Sequence, residues 1–231
     1  MKCVVFGALI AGVFATSAIA ADVSTKEAKR VQEAATVLKE IHAVPDKDIP
    51  QDLWDKAECV LVVPGLKKAA FVVGGEYGAG VMSCKNGNEW SAPVFMQLAK
   101  GSVGFQIGAQ STDLVLLVMN RRGMEKMLSD KVALGADMSI AAGPVGRAAS
   151  AATDAQLNAE ILSYSRSQGL FAGVNLSGGA LKADKDAMAR AYGPGVAERD
   201  VAFGVVHPVL EPATPFLNAL RQSSSTAAPA N

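Results

Sequence analysis

The chain has little of what usually marks an enzyme or a metal protein. Its 231 residues include only two histidines, His42 and His207, and three cysteines. His42 falls near a predicted helix end and His207 precedes a proline, where surface or capping roles suffice. No CxxC occurs, and Cys59 and Cys84 are too widely spaced to suggest a zinc site. No G-x-x-x-x-G-K-[ST] phosphate loop, dinucleotide G-x-G-x-x-G or G-x-S-x-G elbow is present. Ser177 in NLSGG comes nearest the last, but Asn175 stands where its first glycine belongs. An excess of one charge is also missing, since 22 Lys and Arg face 22 Asp and Glu. That balance argues against a general nucleic-acid binder, which needs a basic surplus. Asp113 and Asp137 adjoin apolar sequence and could form a carboxylate pair. A turn cap at Asp113 and a strand-edge acceptor at Asp137 are the simpler readings. No catalytic residue, metal site or cofactor is therefore assigned.

What is present begins with an export signal. Lys2 is the only charge before Asp22, Val4 to Phe14 is apolar, and Ala18-Ile19-Ala20 offers small residues to a signal peptidase. The apolar run is shorter than the ~20 residues a spanning helix needs. Cleavage after Ala20 would remove one basic residue. It would leave 22 − 1 = 21 bases against 22 acids, a net charge of −1. Residues 1–20 are read as a signal peptide, with a periplasmic or secreted product. Half the chain is hydrophobic and only 19% is charged, which is enough apolar content for a core.

Residues 24–44 carry apolar positions at three- and four-residue steps, namely Ala28, Val31, Ala35, Leu38 and Ile41. Ser24 and Glu27 suit a capping box and Pro45 a stop. A second short helix is expected over 49–56 with Trp54 inward. Residues 59–109 read CVLVVPGLKKAAFVVGGEYGAGVMSCKNGNEWSAPVFMQLAKGSVGFQIGA. Valines favour strands, and the recurring glycines permit turns, bulges and close backbone approach. Leu114–Met119 suits a strand buried on both faces. A helix is expected over 121–130, a weak alternation over 134–142 and a loop over 147–155. A strand pair turning at Ser167-Gln168-Gly169 and a helix from Asp184 to Tyr192 follow. One short apolar helix is expected after Pro208, with disorder from Ser223. The resulting fold class is α+β. It is a mostly antiparallel, curved, glycine-rich β-sheet flanked by helices. The reading divides the chain into a helical segment over 21–57, a main domain over 58–200 and a tail over 201–231.

Export makes a Cys59–Cys84 disulfide chemically possible. A hairpin turning near Gly65 would place Cys59 opposite a residue near Val72, not Cys84. A bridge then requires Cys84 to arrive on a neighbouring strand, and two buried thiols are the alternative.

Two features suit a membrane surface. The 24–44 helix sets Lys26, Lys29 and Arg30 beside an apolar stripe, as interfacial helices do. Packing against the sheet explains that stripe equally well. The basic pairs Lys67-Lys68 and Arg121-Arg122 fall on predicted turns, where they could hold phosphate head groups or simply be solvated. Lys67, Lys68, Arg121 and Arg122 are expected to contribute to one basic edge that meets anionic head groups, with Lys26, Lys29 and Arg30 as further lipid-binding candidates.

The ordered motifs VVPGLKKAAFVVGGEYGAGVMSC, WSAPVFMQL, GFQIGAQSTDLVLLV, LGADMSIAAGPVGR, YSRSQGLFAGVNLSG and AYG resemble the SYLF domain family over roughly residues 30–195. The resemblance implies an α+β fold and non-enzymatic lipid binding. Eukaryotic members favour phosphoinositides, and some act at actin patches. Bacterial members often carry a signal peptide. For an exported chain it implies a phospholipid or another envelope amphiphile as ligand. The expected partner is thus an anionic lipid or membrane surface. An envelope structural or protein-interaction module is the alternative, and an unrecognised hydrolase a more distant one.

Overall fold

The computed structural model describes residues 25–42, 48–70, 73–103, 108–146, 158–167, 170–208 and 210–225. The expected signal peptide, Ser24, the 147–155 loop and the turn residues Gln168 and Gly169 lie outside them.

The chain folds as a curled α+β structure around one ten-stranded sheet. Helices α1 (Thr25–Ile41) and α2 (Gln51–Lys56) come first. They lead into β1 (Cys59–Ala70), β2 (Val73–Asn86), β3 (Glu89–Trp90), β4 (Val94–Val103) and β5 (Gly108–Val118). Helix α3 (Arg121–Met127) precedes β6 (Val132–Ala133), β7 (Ile140–Ala142), β8 (Ile161–Ser167), β9 (Leu170–Gly173) and β10 (Gly179–Ala183). Helices α4 (Lys185–Tyr192) and α5 (Glu198–Ala202), a 3-10 turn at Glu211–Ala213 and helix α6 (Thr214–Ser225) close the chain. The strand order is β6-β10-β4-β2-β1-β5-β8-β7, with β3 beside β2 and β9 beside β8. Among the described strands, only the β7–β8 pairing is parallel.

The hairpin expected near Gly65 is a correction. Gly65 takes φ 59° inside a continuous β1. The register shifts there against both neighbours, which marks a β-bulge. Asp113 on β5 holds the bulge by accepting a 2.9 Å hydrogen bond from the Gly65 N–H. Glycine meets the left-handed φ without the cost a Cβ would bring. β1 therefore runs on to Ala70, and β2 returns alongside it. Cys59 then faces Cys84 directly in the register, and the two form a disulfide. Lys85 donates its N–H to the Glu58 carbonyl in the adjacent pair. The cysteines thus occupy the non-hydrogen-bonded position, where facing side chains come closest.

Two glycines let the bulge lie against β2. A Cβ on Gly78 would fall 2.4 Å from Val63 Cγ1, and one on Gly80 would fall 2.6 Å from the Val62 carbonyl oxygen. At the sheet centre, Val60, Leu61, Val62 and Val63 of β1 and Leu114–Val118 of β5 are buried. Helix α1 turns Val31, Ala34, Ala35, Leu38 and Ile41 inward, and α2 buries Trp54 completely. Residues beyond 200 also belong to this core. Val201 and Ala202 of α5 and Phe216, Leu220 and Ser223 of α6 are buried. Ser223, where disorder was expected to begin, sits inside α6.

Candidate functional site

Four of the seven expected basic residues meet at one cleft. Lys26, Lys29 and Arg30 project from the first turns of α1, and Lys67 projects from β1 beyond the bulge. The cleft has a volume of about 440 Å³ and is also lined by Tyr77 of β2 and Ser111 of β5. Lys67 stands opposite Tyr77 on one side and Ser111 on the other. All three therefore share the face covered by α1. Gly65 and Gly78 form part of the lining, so the bulge shapes the site as well as the strand.

The cations differ in availability. Arg30 is largely enclosed. Its Nη1 donates to Asp184 Oδ2 at 3.0 Å, and its guanidinium lies 5.4 Å from the Phe95 ring centroid. Burial opposes ionisation of Asp184. The Ala187 N–H, the Gln97 side chain and Arg30 outweigh it and hold this carboxyl below the usual range. Lys29 makes an exposed 3.6 Å contact with Glu33, a weak tie in water. Lys26 and Lys67 have no ion-pair partner among the described residues. The cleft therefore offers cationic side chains close to a half-exposed phenol, the chemistry of an anion site with an amphipathic rim.

The remaining expected basic residues lie elsewhere. Lys68 points to the opposite face of β1 and pairs with Glu76 at 3.5 Å. Arg121 and Arg122 begin α3, beyond the far end of β5. Arg121 contacts Glu125 at 3.6 Å and lies 5.1 Å from the Phe203 ring centroid. Arg122 reaches Glu160 at 3.6 Å. Glu160 is a buried carboxylate that accepts from Lys126 Nζ at 2.9 and 3.0 Å and from the Ser139 N–H at 2.9 Å. Burial disfavours its charge, but these donors keep it ionised below its ordinary value. The single basic edge expected from the sequence is thus divided between two ends of the sheet.

One constellation has no counterpart in the sequence reading. His42 Nδ1 lies 2.8 Å from Asp48 Oδ2, and His42 Nε2 lies 2.8 Å from Ser223 Oγ. The spacing resembles a Ser–His–Asp triad, but the setting differs from one. Ser223 is fully buried, and its hydroxyl donates to the Ala219 carbonyl one turn earlier in α6. A substrate carbonyl has no approach to that oxygen. Gln51 also donates to the Ser223 carbonyl. The group therefore acts as a joint between α1, α2 and α6. No local signal announces it, because His42 and Ser223 are 181 residues apart. Among the described residues, no His, Cys, Asp or Glu cluster could hold a metal ion.

The family model Ysc84, described as Las17-binding protein actin regulator, matches residues 99–223. The chain belongs to the SYLF (Ysc84) family. LAS seventeen-binding protein 3 of Saccharomyces cerevisiae is 33% identical over 168 residues, covering 71% of this chain and 36% of the yeast protein. SH3 domain-containing YSC84-like protein 1 of Homo sapiens is 31% identical over 180 residues, covering 75% of this chain and 52% of the human one. The mouse counterpart is 32% identical over 182 residues, covering 76% and 53%. The chain thus spans between about a third and about a half of these relatives. The family match starts in β4, so Lys26, Lys29, Arg30, Lys67 and Tyr77 all precede it.

Proposed function

We propose that this SYLF protein is an exported, non-enzymatic lipid-binding protein of the cell envelope. It engages anionic head groups through the cleft between α1 and the β1 bulge. The observation that carries this reading is the convergence of Lys26, Lys29 and Arg30 with Lys67, from well-separated segments, beside Tyr77. Each cation near an anionic membrane surface adds about 1 kcal/mol of attraction. The charged start, short apolar core and Ala-Ile-Ala end support export. The Cys59–Cys84 disulfide suits an oxidising compartment.

A protein partner in the envelope is the second reading. Two relatives' names favour it, one LAS seventeen-binding and one SH3 domain-containing.

The test uses protein recovered from its own envelope. Intact mass should place the mature N-terminus at Ala21. Co-sedimentation should then show binding to phosphatidylglycerol-containing vesicles but not to pure phosphatidylcholine, with affinity falling as salt shortens the Debye length. Retention of Lys2 would overturn export. Failure to bind any vesicle would give first place to the protein partner.

A further inference from the structure

Tyr77 is the only aromatic side chain among the large hydrophobics exposed on the described surface, with 51% of its area open. It stands directly across from Lys67 and helps to line the cationic cleft. Among the described residues, the positions beyond it on the same face are open. A Cβ at Gly75 would meet only the Lys100 carbonyl oxygen, at 3.8 Å, and one at Gly101 would meet no atom within 4 Å.

The strand pairings place this row at the base of a projecting part of the sheet. Among the described residues, β8 meets β5 along Asp113–Val118 alone, and β10 meets β4 along Met96–Lys100 alone. The row of Lys67, Tyr77 and Ala99 is still flanked by Ala180 of β10; from Ala69, Gly75 and Gly101 outward, the described parts of β1, β2, β4 and β5 extend past both neighbours. Tyr77 and Lys67 therefore stand at the base of this projection, and Tyr77 remains open to solvent there.

Phenol rings are favoured at the boundary between head groups and hydrocarbon, with the ring in the apolar layer and the hydroxyl at the polar one. We propose that Tyr77 is the interfacial anchor of this protein. Its ring enters the boundary of an anionic bilayer while Lys26, Lys29 and Lys67 hold phosphate groups around it. The inference rests on the lipid-binding reading above and adds the surface that faces the membrane. Charge complementarity selects an anionic bilayer as the occupant. Among the described residues, Glu33 is the only acidic side chain lining the cleft, and it already contacts Lys29.

The experiment places a reporter at the anchor. Trp54 and Trp90 are 0% and 7% exposed, so the native indoles give a buried, steady background. The full mature chain carrying Tyr77→Trp is mixed with phosphatidylglycerol vesicles containing brominated acyl chains. Its fluorescence should shift to the blue and be quenched. Both changes should be absent with pure phosphatidylcholine and should fade at high salt. Tyr77→Ala should bind the anionic vesicles more weakly, by up to about tenfold, a change worth about 1.4 kcal/mol. Tyr77→Phe should bind nearly as wild type does. Binding of Tyr77→Trp without a shift or quenching would overturn the anchor and leave the lipid-binding reading intact. If neither wild type nor variant bound any vesicle, the reading beneath it would fail, and the anchor with it. A thermal melt matching wild type keeps misfolding out of the comparison.

Discussion

Gly78 and Gly80 are the residues at which a single added carbon most directly opposes the bulge. The glycine at 80 faces a backbone oxygen, which cannot rotate away as a side-chain end can. Gly80→Ala should therefore force a strand shift, with an expected loss of about 1–3 kcal/mol, the range for overpacking a well-filled site. Gly101 is the matched control, since a Cβ there meets nothing within 4 Å. Gly101→Ala should be neutral or should stabilise by roughly 0.5–1 kcal/mol, the usual penalty of glycine inside a strand. Urea midpoints of the two variants would test this, and equal destabilisation would reject the packing account. From sequence, glycines at 78, 80 and 101 look alike, because the feature that separates them is a neighbouring strand's bulge. The cleft was partly legible for the same reason. Lys26, Lys29, Arg30 and Lys67 could be picked out by charge, but their meeting depends on β1 passing straight through Gly65. Tyr77 carries no charge and no motif of its own, so nothing local connected it with them.

At the scale of elements, α1 is fixed to α4 by two acid–base pairs. Arg190 donates to the buried Glu27 through Nε at 3.1 Å and Nη2 at 2.8 Å, and Arg30 donates to Asp184, which also caps α4 through the Ala187 N–H. Asp184 is held below the ordinary carboxylate range, so the folded protein binds fewer protons there than the unfolded chain. The sign follows. Its stabilisation is fully present above the unfolded value of about 4 and is lost as pH falls through the lower folded value. Asp184→Asn should destabilise the protein at pH 7, and the gap from wild type should narrow as pH falls below about 4. Denaturant titrations at a series of pH values check this, and a constant gap would remove Asp184's charge from the account. Such ties explain what periodicity could and could not foresee. The apolar repeat of α1, the run Leu114–Val118 and the Gly193 stop were legible because each is a local pattern. The role of α6 was not. Its buried Phe216 and Leu220 lie in a segment whose prolines and serines resemble a tail. The Cys59–Cys84 register was hidden by a glycine that reads equally as a turn or a bulge.

At the scale of the whole molecule, the cationic groups separate along the sheet. Ser111 lies beside Lys67, and Val118 lies near the start of α3. The seven intervening steps, 118 − 111, span roughly 23 Å at the usual strand rise. That exceeds the Debye length of about 8 Å at physiological ionic strength, so the two groups act independently on a membrane. The cleft end has Lys26 and Lys67 unpaired among the described residues, whereas Arg121 and Arg122 contact Glu125 and Glu160. A bilayer should accordingly meet the cleft end. Replacing Lys26 and Lys67 together by alanine removes about 2 kcal/mol of surface attraction, at about 1 kcal/mol for each cation. Binding to phosphatidylglycerol vesicles should weaken by roughly thirtyfold and lose much of its salt dependence. Replacing Arg121 and Arg122 should leave vesicle affinity within about twofold of wild type, because neither reaches the contact plane. The second variant should instead lower the melting temperature, since Arg122 helps to neutralise Glu160 and Arg121 lies against Phe203. Vesicle titrations and thermal melts on both variants separate the two effects. If the Arg121 and Arg122 replacement weakened binding as much as the lysine pair does, the molecule would have to meet the membrane along the sheet's length, and the end-on orientation would be rejected.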